Sequence, residues 1–172
     1  MSNKEELLRM MQDTCKESAI QDVIKSGLLP DNITSLLLSS TVERAIIRVY
    51  TDSRGCPAWR TWALLWLTDE DRSVGAADVA AKTVQDDLDR GSGWSSAEST
   101  YGAILAAEAA AEAAWAGASV LQGSPTKSVG ILEALELGRT SSAVVIMDDV
   151  GKIEEVERQF FDLLFFINQE MQ

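Results

Sequence analysis

Residues 95–122 read SSAESTYGAILAAEAAAEAAWAGASVLQ, and the fold of the whole chain turns on this stretch. Ser95 with Glu98 three residues later is a capping-box pattern, so a helix is expected to start here. The rest of the stretch is mostly alanine, the best helix former, and no proline interrupts it before Pro125. At about 1.5 Å per residue a continuous helix of this length is a rod of roughly 42 Å. One side carries Ala103, Ala106, Ala107, Ala110, Ala113, Ala114, Gly117 and Leu121. Ridges this low let other helices approach at the short end of the usual ~8–10 Å spacing. A neighbouring line carries Tyr101, Glu108, Glu112, Trp115 and Ser119. The stretch predicts a central helix with a packing side of small residues and an acidic side flanked by aromatics.

Upstream of it, Ala77, Ala80, Ala81, Val84 and Leu88 form another small stripe, joined to the central helix by a Gly91-Ser92-Gly93 linker. Cys56-Pro57 opens a helix with proline at the favoured first position, and Trp59, Trp62, Ala63, Trp66 and Leu67 continue it at helical spacing. Three tryptophans on one stripe predict core, although their indole N–H groups need partners and draw at least one ring towards a polar boundary. Thr41 is read as the cap of a helix with Val42, Ala45, Ile46, Val49 and Tyr50 inward, and residues 32–38 as a separate short helical piece. Residues 2–26 read as one or two short helices, with Leu7, Leu8, Met11, Cys15, Ala19, Ile20, Val23 and Ile24 on the apolar side and Gly27 as the stop.

Downstream, Ser124-Pro125 starts a helix with Val129, Leu132 and Leu135 inward and Gly138 as its end, and residues 139–142 read as a loop. Residues 143–147 are β-branched but have no second strand to pair with, so helix is preferred. The last helix, from residue 148 or 150 to 169, turns Ile153, Val156, Phe160, Leu163, Leu164 and Ile167 inward, while Phe161, Phe165 and Phe166 widen its apolar face. A helix apolar nearly all round is either central or covered by another chain. The expectation is an all-α, single-domain bundle over residues 1–172, with about seven to nine helices around the Ala-rich one. Residues 1–40 are expected at its periphery and residues 41–170 in the main bundle.

Composition narrows the function. The 172 residues are 46% hydrophobic and 24% charged, as in ordinary globular proteins, with a formal net charge of −12. Acidity rises along the chain: six basic and seven acidic residues in 1–50, five and nine in 51–100, four and eleven in 101–172. Such a surface suits basic proteins and disfavours nucleic acid and anionic membranes, although solubility alone also explains it. No apolar run reaches membrane-spanning length, and the N-terminus lacks a signal-peptide pattern. Cys15 and Cys56 are isolated and read as buried free thiols, which places the chain in the cytoplasm. With no histidine, Ser-His-Asp and Cys-His catalysis and His-containing zinc sites are excluded, and no cofactor is called for.

Three constellations remain. Gly91-Ser-Gly93 lacks the third glycine and preceding strand of a dinucleotide loop, and reads as a flexible connection. Glu133-x-x-Glu136 and Glu154-x-x-Glu157 align carboxylates on successive helices, where they could meet around magnesium. This pair of pairs resembles the acidic signature of all-α nucleoside-triphosphate pyrophosphohydrolases, but has Glu157 where that signature ends in aspartate and no nearby basic cluster to hold a triphosphate, so unpaired acidic residues on solvated helix faces are the preferred reading. Glu108 and Glu112, framed by Tyr101 and Trp115, suit a partner bearing Arg or Lys, with the rings able to stack on guanidinium.

Residues 56–81, CPAWRTWALLWLTDEDRSVGAADVAA, resemble the immunity proteins of bacterial polymorphic-toxin systems. The matching residues are Trp62-Ala63, Trp66-Leu67, Glu70-Asp71-Arg72-Ser73, Ala76-Ala77, Ala80-Ala81 and the alanines of 106–118. Asp69 departs from the family, where Gly is expected, as do residues 86–94. Asp71 or Ser73 can cap the following helix, and Arg72 can pair with Glu70 or a carbonyl of the preceding helix end, so the motif is structural. The resemblance implies a non-enzymatic protein that neutralises a protein effector by direct contact. Alternatives are an acidic, phosphate-mimicking inhibitor of a nucleic-acid enzyme or defence system, of viral origin in one variant; a self-assembling subunit, suggested by residues 160–167 of the last helix, with Phe161 and Phe165 as contact residues, and by the alanine face; and the magnesium enzyme.

Overall fold

Ser96 caps the central helix: its hydroxyl accepts the Ser99 backbone N–H at 3.1 Å and its carbonyl accepts the Thr100 N–H at 3.2 Å. The structure, a computed structural model, describes residues 1–91, 96–120, 127–146 and 149–172, and the side chains of 118–120 are not described. The expectations for Ser95, for the Gly-rich connection at 92–93, for Ser119, Leu121 and Met147, and for a helix start at Ser124-Pro125 lie outside those residues and side chains. Eight α-helices succeed one another among the described residues, with no strand: α1 (Asn3–Met10), α2 (Lys16–Ser26), α3 (Asp31–Tyr50), α4 (Pro57–Leu67), α5 (Val74–Arg90), α6 (Ala97–Val120), α7 (Lys127–Ile146) and α8 (Asp149–Glu170). A 3-10 turn, Thr51–Gly55, joins α3 to α4. The expected all-α bundle is thus observed. None of these helices is long and apolar enough to cross a membrane.

Helix α6 is the axis, packed against α7, α5 and α3. Gly102, Ala103, Ile104, Ala106, Ala107, Ala109, Ala110, Ala111 and Ala116 are all buried, which leaves only a narrow outer strip. Because alanines bring little apolar area, the bulk comes from the neighbours. Around the first half of α6 lie Val42, Ile46 and Val49 of α3, Trp59, Trp62 and Trp66 of α4, and Val84 of α5. All three tryptophans are buried, with Trp66 at a polar boundary where the Arg72 guanidinium lies 4.1 Å from its ring centroid. The Trp59 indole N–H donates to the Ala103 carbonyl at 3.1 Å, whereas Trp62 Nε1 finds no acceptor among the described residues. A second cluster joins Leu7 of α1, Ile20 and Val23 of α2, Ile33 and Leu37 of α3, Leu135 of α7, and Leu163 and Ile167 of α8. The first two helices are therefore built into the core rather than laid on its edge.

Two expected breaks are absent. Helix α3 runs unbroken through Thr41, whose hydroxyl donates to the Leu37 carbonyl at 3.0 Å inside the helix instead of capping a new one. Helix α7 runs unbroken through Gly138, so residues 139–142 are helical. The two positions face each other: a Cβ on Gly138 would collide with Thr41 Cγ2. Similar close approaches occur at Gly102, where a Cβ would lie 2.6 Å from Val145 Cγ2, and at Gly151, where it would lie 2.5 Å from the Ser142 carbonyl oxygen.

Three inward assignments are also corrected. Val129 of α7 is exposed, because the buried line of that helix is Ile131, Ala134, Leu135, Gly138, Ser141 and Ser142. Ile153 of α8 is exposed, because Gly151, Glu155, Gln159, Phe160, Leu163 and Ile167 point inward, while Val156 and Leu164 lie at the margin. Cys15 is exposed at the start of α2, whereas Cys56 is buried.

Helix α4 ends in a Schellman turn. The Asp69 N–H donates to the Trp66 carbonyl at 3.1 Å and the Glu70 N–H to the Leu65 carbonyl at 2.9 Å. Asp69 takes φ 60°, the left-handed region that glycine enters at least cost. Arg72 secures this turn. Its Nε donates to the Trp66 carbonyl at 3.0 Å, its guanidinium lies 4.1 Å from the Trp66 ring centroid, and it pairs with Asp69 at 3.2 Å rather than with Glu70. Ser73 caps α5, accepting the Ala76 N–H at 3.3 Å.

Backbone contact makes Gly151 harder to replace than an open glycine. Gly151→Ala is expected to destabilise the protein by about 1–3 kcal/mol in urea titrations, since the Ser142 backbone cannot swing aside as a side-chain end can. Gly75→Ala, in the first turn of α5 with no described atom near its Cβ position, is expected to stabilise by about 0.4–1 kcal/mol. Asp69→Gly is expected to raise stability by roughly 0.5 kcal/mol, relief of the left-handed strain exceeding the entropy that glycine loses.

Candidate protein-interaction face

The exposed strip of α6 carries the residues singled out from its sequence. Tyr101 is 50% exposed, Trp115 is 59% exposed, Glu108 is exposed, and Leu105 and Glu112 are half-buried between them. They share one line because 101, 105, 108, 112 and 115 fall within a narrow arc at 3.6 residues per turn. Most other residues of that helix are small, so these long side chains dominate what it presents to solvent.

The neighbouring helices extend the charge. Loss of surrounding water, then the like charges of Glu112 and of Glu133 on α7, raise the Glu108 carboxyl above its ordinary value. Glu112 is raised by loss of water, then by Glu133 and by Asp78 of α5. Carboxylates of α5, α6 and α7 thus act on one another along the strip, and Asp78, Glu108, Glu112 and Glu133 have no ion-pair partner among the described residues. The sequence alone does not single out Asp78, and it pairs Glu133 with Glu136, since only the rotation of α5 and α7 about α6 brings both to the strip.

The magnesium constellation expected from the paired carboxylates does not form. Among the described residues no three Asp, Glu, Cys or His side chains are placed to hold a metal ion. Glu136 is held by Lys152 at 3.2 Å and Arg139 at 3.4 Å, and Glu157 faces Lys16 at 3.5 Å. Glu133 lines the cavity between α2 and α7 while its charge is felt at Glu108 and Glu112, and Glu154 is exposed on the outer side of α8. The i, i+3 spacing aligns each pair on its own helix, but the two faces do not converge.

What α8 buries is instead an ionic network. The Glu155 carboxylate is fully buried and receives Arg44 Nε at 3.1 Å, Arg44 Nη2 at 2.9 Å, and Arg48 Nη2. Arg44 also reaches Asp162. One turn further along, buried Gln159 donates to the Leu135 carbonyl at 3.0 Å and accepts from Arg139 Nε at 2.8 Å, while Arg139 Nη1 donates to Glu17 at 3.3 Å. Helices α2, α3, α7 and α8 are thereby tied together. The sequence holds a signal for it: Arg44 and Arg48 lie one turn apart on α3, and their partners Glu155 and Asp162 lie two turns apart on α8. The outer line of α8 carries Phe161, 55% exposed, and Phe165, 59% exposed, with Lys16 5.6 Å from the Phe161 ring centroid.

Comparison with protein-family models, curated proteins and solved structures returns no match.

Two measurements separate the roles of these carboxylates. Glu155→Ala is expected to cost about 3–5 kcal/mol in denaturant titrations, because Arg48 loses its buried counter-charge and Arg44 keeps only Asp162, while Glu154→Ala is expected to stay within about 0.5 kcal/mol of the parent. The strip behaves oppositely. Carboxyls raised in the folded state weaken it when ionised, and that penalty fades as pH falls through their folded values towards the ordinary 4.5. Glu108→Gln is therefore expected to stabilise the protein by roughly 0.2–0.5 kcal/mol at about pH 7, with the gain vanishing near pH ~4 in thermal melts.

Proposed function

We propose that this chain is a non-enzymatic binding protein of the cytoplasm that neutralises a basic protein effector by covering it, in the manner of the immunity proteins of bacterial polymorphic-toxin systems. The observation that carries this is the α6 strip, in which Asp78, Glu108, Glu112 and Glu133 stand without counter-ions among the described residues and exposed Tyr101 and Trp115 frame the line. Like charges left facing one another in the free protein are relieved when a partner supplies cations, so complex formation gains both the new pairs and the lost repulsion. Opposite charge also speeds encounter. Flat aromatic faces accept guanidinium groups. The turn at residues 69–73 supports the resemblance in one respect: position 69 holds a glycine-type backbone although the residue is aspartate.

Co-expression with the product of the neighbouring gene tests this directly. A complex isolated from the cells, with rescue of growth, is expected; neither a complex nor rescue would overturn the proposal. In the double variant Glu108→Lys, Glu112→Lys, association is expected to slow at least about tenfold at low salt and to lose most of its salt dependence, with the helical circular-dichroism signal kept. Equal association rates for parent and variant would move the interface off α6.

Exposed Phe161 and Phe165 favour one second reading, self-assembly through α8. Sedimentation at high micromolar concentration decides it: a dimer that Phe161→Glu dissociates supports assembly, and a monomeric parent excludes it.

A further inference from the structure

We draw no further inference here: the strongest candidate, the cavity of about 360 Å³ between α2 and α7 with the buried, partly unpartnered Arg139 guanidinium in its lining, carries nothing because Glu17 and Glu136 already hold that guanidinium and Glu133 beside them opposes the anion it would bind.

Discussion

The governing constraint is a central helix without bulk. An alanine-rich α6 lets α3, α5 and α7 close in, but it contributes little apolar area of its own, so the hydrophobic stabilisation has to be supplied from the surrounding helices. That is why the large side chains concentrate on α4 and on the inner faces of α3 and α8. It is also why the Trp59 indole reaches the α6 backbone itself, at the Ala103 carbonyl: no bulky side chain stands between them. Packing at this range requires small residues on the partner side too, and Gly130, facing Ala116, and Ser141, beside Gly102, meet that requirement on α7.

The same constraint explains which parts of the fold are legible in sequence. Helices with a clear apolar period and a chemical boundary are legible: α4 opens on Pro57, α5 on Ser73, and the strip of α6 stands out because its long side chains are exceptions among alanines. Thr41 and Gly138 mislead for one shared reason. Locally, a threonine after two serines resembles a cap and a glycine resembles a stop. In three dimensions they are the two halves of a single close crossing of α3 and α7, where anything larger would collide. Nothing local distinguishes a small residue that ends a helix from one that admits another helix.

Facing is harder to read than helicity for a related reason. On α8 the apolar period finds Phe160, Leu163 and Ile167, but it cannot say that Glu155 and Gln159 turn in with them. The decision falls to polar partners on other helices, since Glu155 must meet Arg44 and Arg48. Once that side is inward, Ile153, Phe161 and Phe165 are carried outward. The candidate site divides in the same way. Its residues on α6 come from one helical period, whereas Asp78 and Glu133 depend on how far α5 and α7 are rotated about α6.

Burying Glu155 also acts as a check on assembly. If α8 slid by one turn along α3, Gly151 or Gln159 would occupy the place of the carboxylate, and the two arginines would lose the buried charge between them. Either shift would also bring a side chain to the place of Gly151, against the Ser142 backbone. The uncompensated charge separates both from the native register by about 3–5 kcal/mol. Helix α8, synthesised after the other seven, therefore docks in one register, and α3 waits for it with two positive charges that only the correct alignment can quench.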